Sequence, residues 1–342
     1  MSTKLNLNDY FIKILTGMSI GIVIALVPFA LLGEISKALG LTTVISLTII
    51  ASRLLSAVMG LCIARQFNLT PIQSGTLAIT TMIGSGAIKI TEAGFLLAGL
   101  GDVINAGITA AIAVALLKLI GDKLKAYTIL LVPTIVITVV GFIGLQTLPY
   151  VSQITGYIGS LVQLFTTLQP VLMGLLISVS FAAIIISPVS SVGVALAISL
   201  SGVASGAANL GICAAGFGLA ILGNNVNGFG TSLAHFLGSP KMQMANLARK
   251  PKMLVPVLVN AAVVGTLAGI FNIQGTPMSA GFGFSGLIGP INHLAIAGYS
   301  LGNIIITVLL FVVAPIVVGY VCKYIFINKL NFVEEEDYSI KF

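Results

Sequence analysis

Two stretches of this chain carry no charge at all. Residues 126–240 contain no Asp, Glu, Lys or Arg, and neither do residues 253–322. Ordinary globular chains are roughly 25% charged, whereas this one is 7% charged and 57% hydrophobic over 342 residues. A water-facing surface cannot be built from such runs. A soluble globular domain, a disordered chain and a nucleic-acid-binding domain are therefore excluded. Lipid is the remaining solvent. The runs are continuously apolar and do not alternate, which excludes membrane β-strands. The fold class expected is all-α: a polytopic membrane protein of about ten transmembrane helices with re-entrant hairpins.

The few charges set the expected topology. Sixteen Lys and Arg face nine Asp and Glu, a net charge of +7. The bases cluster at Lys118–Lys125, Lys241–Lys252 and Lys323–Lys329. Such clusters mark cytoplasmic loops, so both termini are expected on the cytoplasmic side of the membrane. Spans then fit near 11–33, 39–64, 70–88, 93–120, 126–148, 168–187, 188–207, 209–223, 252–271 and 293–322. Together they make one transmembrane domain over 1–330, divisible into halves 1–150 and 168–330. An acidic tail over 331–342, with Glu334, Glu335, Glu336 and Asp337, is expected to be solvated. From the polar start and the lack of a small-residue cleavage site, the first apolar run is expected to be a retained span. Arg53 falls inside the second span and is expected to snorkel or to pair structurally. Cys62, Cys213 and Cys322 stand far apart without metal spacing and read as packing residues. No phosphate-binding loop, dinucleotide motif or nucleophile elbow is present, so no cofactor, metal or catalytic residue is expected.

Function is expected where the helices break. Irregular backbone at membrane depth is tolerated only against protein or a water-filled cavity, and transporters bind solutes there. The first break is Gly84–Gly101, followed by Asp102. If a helix runs from Ala93, Asp102 lies roughly 14 Å in, near the midplane, with Asn105 and Thr109 on its face. If the helix starts at Val103, Asp102 is its N-cap and 84–101 is a re-entrant hairpin. Glu92 is either a site residue or the partner of Lys89 three residues away. The second break gathers Asn224, Asn225 and Asn227 before Gly228, Gly230, Thr231 and His235. Amides both donate and accept, which suits sugar hydroxyls, and Thr231 and His235 share one helix face. The third break runs from Gly275 through Pro290, Asn292 and His293 and is expected to close the site as a second hairpin.

These residues also resemble a family. Gly84-Ser85-Gly86-Ala87-Ile88, Gly101-Asp102-Val103-Ile104-Asn105-Ala106, and Gly230-Thr231-Ser232-Leu233-Ala234 followed by Pro240-Lys241-Met242-Gln243-Met244 resemble IIC-type membrane subunits of the bacterial sugar phosphotransferase system, including perfringolysin-regulator-like proteins. The resemblance covers nearly the whole chain. It implies a permease of about ten helices, a homodimer, a sugar solute, and separate IIA and IIB phosphocarrier partners. In sugar IIC subunits a Gly-Ile-Thr-Glu-Pro motif presents a glutamate to the sugar. Here Ile90-Thr91-Glu92 matches its core, with Lys89 and Ala93 at its ends. His235 is carried over by analogy with a histidine near the site.

The substrate-binding set expected is thus Glu92, Asp102, Asn105, Asn224, Asn225, Asn227, Thr231 and His235, for a small polar solute. Two other readings stand beside it. One is an ion-coupled secondary transporter using Asp102 or Glu92. The other is a membrane sensor or regulator without net transport.

Overall fold

A computed structural model describes residues 6–92, 94–121 and 123–340, with the backbone alone at Glu34 and Ala38. The chain is helical nearly throughout. In order it forms α1 (Leu7–Ala38), α2 (Thr42–Arg53), α3 (Leu55–Gln66), α4 (Pro71–Gly84), β1 (Ile88–Thr91), β2 (Gly94–Leu97), α5 (Val103–Ile120), α6 (Thr128–Ile135), α7 (Gly141–Phe165), α8 (Pro170–Ile186) and α9 (Ser191–Ala197). It continues with α10 (Gly202–Leu222), α11 (Phe229–Leu237), α12 (Met244–Arg249), α13 (Leu254–Ile270), α14 (Ile288–Ala297), α15 (Leu301–Val308) and α16 (Ala314–Lys323).

Among the described residues, six helices are long and apolar enough to cross a membrane: Leu7–Lys37, Val103–Ile120, Lys125–Phe165, Gly202–Leu222, Pro251–Ile270 and Leu301–Lys329. The pair α2 and α3, bent by 52° at Leu54, makes a seventh if counted as one span. The all-α polytopic architecture stands. Several expected boundaries differ. The helix expected to stop at 148 runs on through Pro149 to Phe165. The expected spans 188–207 and 209–223 become short α9 and long α10, because the chain breaks at Ser199 and Gly202, both at positive φ.

By its contacts the chain divides into two compact units. One holds Met1–Pro28 and Ser46–Ile154, the other Phe29–Ile45 and Thr155–Phe342. In the first unit α3, α4 and α5 pack together. Thr70 caps α4 in a reciprocal box with Gln73, and Pro71 opens the helix where its missing N–H costs nothing. After α4, Gly86 turns the chain into an antiparallel hairpin that pairs Ile88 with Leu97 and Thr91 with Gly94. Of the two geometries open from sequence over 84–101, a hairpin is the one adopted, and its arms are β-strands where an all-α chain was expected. Arg53, at the bend between α2 and α3, donates to the Leu97 carbonyl at 2.9 Å. Its cation thus holds the hairpin base, the structural role expected of it.

In the second unit α10 is buried along its whole length among α8, α13 and α16. Phe217 stacks on Phe236 of α11 at 4.2 Å between centroids, and Phe284 meets both edge-on. Aromatic contact therefore fixes the short α11 against α10.

Candidate functional site

In the first unit the polar residues hold backbone. Asp102 is the N-cap of α5 and accepts from Asn105 N at 2.9 Å. Its own N–H donates to Ser85 O at 2.8 Å. Of the two geometries open from sequence, the cap is the one adopted. Gly101, at φ +76°, is what turns the chain into it; an added Cβ there would meet Ser85 Oγ at 2.6 Å. Asn105 is fully buried and donates to Gly84 O and Gly144 O, while Thr147 Oγ1 donates to its Oδ1. Its donors are committed to joining three helical segments. Glu92 is exposed at the hairpin turn and forms no ion pair with Lys89 among the described residues. Because Asn caps nearly as well as Asp, Asp102→Asn should change thermal stability by under about 0.5 kcal/mol, and a larger loss would show that the charge itself is needed.

In the second unit the Asn and His cluster meets the C-terminal segment. Asn227 Nδ2 donates to Gly223 O and Tyr338 O, both at 3.0 Å, and its Oδ1 accepts from Ile340 N at 2.9 Å. Asn225 Nδ2 donates to Glu335 Oε1 at 2.8 Å, and Asn224 Oδ1 accepts from Lys323 Nζ. His235 bonds Thr231 O at 2.9 Å through Nδ1 and Gln243 Nε2 at 3.0 Å through Nε2. Gln243 also donates to Tyr338 O, and Asn246 Nδ2 to Ser339 O, both at 2.8 Å. These bonds need Nδ1 protonated and Nε2 free to accept. Burial pushes the His235 pKa down to about 4, against smaller opposing effects of the Thr231 and Ser232 main chain, so the ring is neutral near pH 7. Lys250 pairs with Asp337 and Lys323 with Glu335, each at 3.0 Å. The tail expected to be solvated is therefore packed over much of its length, with Val333, Asp337 and Tyr338 buried. While it is docked, the amides expected to meet a solute are bonded to it.

The third break forms a cavity. Residues 273–285 are irregular, and the protein satisfies much of their backbone. Gly202 and Gly275 exchange hydrogen bonds of 2.9 and 3.0 Å. Ser205 Oγ donates to Thr276 O, and Asn209 Oδ1 accepts from Gly283 N. From α14, Asn292 Oδ1 accepts from Thr276 N and Ser279 Oγ, and His293 Nδ1 accepts from Gln274 N at 3.1 Å. Beside this lies a cleft of about 250 Å³, lined by Phe29 and Lys37 of α1 and by Met278, Ser279, Phe282, Ile288, Ile291, Asn292 and Ala295. That approaches the roughly 300–1,000 Å³ of sites for drug-sized ligands and leaves room for a smaller solute. The walls are apolar, with a hydroxyl, an amide and a cation. The Nδ2 of Asn292 has no protein partner among the described residues. Sequence reasoning found the glycine-broken side of this cleft. It missed Phe29 and Lys37, which belong to a helix with no break there.

A family model described as "Phosphotransferase system, EIIC" matches residues 12–340. The comparisons with curated proteins and with solved structures found no match.

Proposed function

The chain belongs to the phosphotransferase-system EIIC family, and from that premise we propose that it is the sugar permease of a phosphotransferase complex, with the 250 Å³ cleft as its solute site. Soluble IIA and IIB proteins would supply the phosphoryl group, and the permease would work as a homodimer. The observation that carries this reading is the Nδ2 of Asn292, without a protein partner among the described residues, in a mainly apolar cleft beside irregular backbone that the protein largely satisfies. Phe29 and Phe282 suit the apolar faces of a sugar ring, and the Asn292 amide and Ser279 hydroxyl suit its hydroxyls. The Asn224–His235 cluster is the weaker candidate, since its groups already bond the tail.

The shorter apolar helix α8 and the broken segment ending in α14 would bring the membrane elements towards about ten. Both termini would lie in the cytoplasm. Two observations support that orientation. The Lys250–Asp337 pair brings the tail to the basic segment 241–252. Lys13 and Lys118 both approach the Phe67 ring, at 5.9 and 4.5 Å, so the start of α1 lies beside the basic end of α5. Single cysteines at 123 and 336 should label from the cytoplasmic side only.

The test is uptake of radiolabelled hexoses and hexitols by cells with and without IIA and IIB. Asn292→Asp keeps the acceptor for Thr276 N and Ser279 but removes the donors facing the cleft. Loss of such a partner costs about 1–3 kcal/mol, roughly five- to a hundred-fold in affinity. The variant should show a raised KM while inserting normally. An unchanged KM would remove the cleft as the solute site. Uptake that follows a sodium or proton gradient without IIA and IIB would favour the ion-coupled reading instead.

A further inference from the structure

Lys241 is a buried lysine without a counter-ion in the second unit: burial pushes its pKa down to about 7, and its carbonyl contacts favour the charged form. It is only 6% exposed. Its ammonium donates to Ser187 O and Val189 O at 2.6 Å each and reaches Ile184 O at 3.5 Å. No carboxylate pairs with it among the described residues, and residues 126–240 contain none. A lysine at the end of a helix ordinarily caps it from the surface. This one differs in two respects. It is buried, and its two short bonds go to residues beyond the last turn of α8, which ends at Ile186. Ser187 and Val189 carry the chain from α8 towards α9, and the Ser187 hydroxyl fixes that turn by accepting from Val189 N at 3.2 Å. Converging main-chain carbonyls with no carboxylate coordinate a weakly hydrated monovalent cation, the arrangement that lines potassium-selective pores.

We propose that the carbonyls of Ile184, Ser187 and Val189 form a monovalent-cation site of ammonium size, filled by the tethered ammonium of Lys241. The tether keeps the turn between α8 and α9 in one shape at any ionic composition. The proposal is independent of the solute reading, because none of these residues lines the cleft.

The test uses the full chain purified in detergent, with thermal unfolding followed in choline chloride and in ammonium chloride at equal ionic strength. Wild type should melt alike in both. Lys241→Ala empties the site, so it should melt lower in choline and recover in ammonium along a saturable curve. Lys241→Met refills the space with an uncharged chain of similar length and should melt lower in both salts. If the alanine variant does not fold in choline, it is prepared in ammonium throughout, where folded yield should return. Three results overturn the proposal: an alanine variant as stable as wild type in choline, a loss that ammonium does not restore by either route, or equal recovery of the methionine variant, which would be a general salt effect.

Discussion

Tyr338→Ala should lower the stability of the folded protein by about 3–5 kcal/mol, the range for deleting a large buried ring. The side chain is fully buried and its hydroxyl donates to Met253 O at 2.9 Å. Removing it opens a cavity and leaves that carbonyl without its partner. The adjoining main chain accepts from Asn227 and Gln243, so the loss should spread through the network to His235. Glu336 is exposed, and Glu336→Ala should stay within about 0.5 kcal/mol of wild type. Unfolding of the two variants in detergent makes the comparison, and similar values for both would mean that the tail is not docked.

The same network should respond to acid in a defined window. His235 binds a proton near pH 6.5 when unfolded, but only near pH 4 when buried. Between those values the unfolded chain holds more protons, so stability falls as pH drops through the window and is level above it. The shift corresponds to about 3 kcal/mol. Asp337 acts lower down. Burial raises its pKa, but the Glu334 main-chain hydrogen bond and the bond and charge of Lys250 outweigh this, and the net shift is downward. Its contribution is therefore complete above the ordinary carboxylate range and is lost only as pH falls through the lowered value. Protease cleavage of the tail should thus increase from pH 6.5 to pH 4 in wild type. His235→Gln, which cannot ionise, should flatten that part of the profile.

What the sequence made legible was whatever one segment decides alone. The uncharged stretches required lipid, and Gly101 before Asp102 required a break that a cap then exploits. Pairings between distant segments were not legible. Asn225 finds Glu335 and Asn227 finds Tyr338 more than a hundred residues on, and nothing local to either marks the other. The amides were expected to line a solute site, and in the structure Asn225 and Asn227 bond the chain's own end. The strand character of the 88–97 hairpin was missed for a different reason. Ile88-Lys89-Ile90-Thr91 does alternate, but the strand is short and its side chains at Ile90 and Phe95 are about four-fifths exposed. Burial, the usual reason for alternation, is absent there. The span boundary expected between 207 and 209 lies instead at Ser199–Gly202, and Gly206, Gly211, Gly216 and Gly218 sit inside an α10 that runs unbroken from Gly202 to Leu222.

Those glycines carry the second large effect. A Cβ added at Gly206 would lie 1.9 Å from Ile273 O, and one at Gly211 would lie 2.2 Å from Ser178 O and 2.7 Å from Ser178 Cα. Across the same contact, a Cβ at Gly265 of α13 would meet Ser178 Cβ at 2.2 Å. The obstructing atoms at Gly206 and Gly211 are main chain and cannot rotate away. Helices in lipid gain little from hydrophobic exclusion and depend on close backbone approach at small residues. Overpacking a core usually costs about 1–3 kcal/mol. With backbone on the opposing side, Gly206→Ala and Gly211→Ala should reach or exceed the upper end, and little folded protein should accumulate in the membrane. Gly230 in α11 has nothing within 4 Å of its added Cβ. Gly230→Ala should be neutral or stabilising by up to about 1 kcal/mol through helix propensity alone. Folded yield by fluorescence-detected size exclusion separates the sites. If Gly206→Ala and Gly211→Ala accumulate as well as Gly230→Ala, α10 does not lie in backbone contact with Ile273 and Ser178. In that case the polar ties from Ser205 and Asn209 to the 275–283 segment, which shape one wall of the cleft, lose their basis as well.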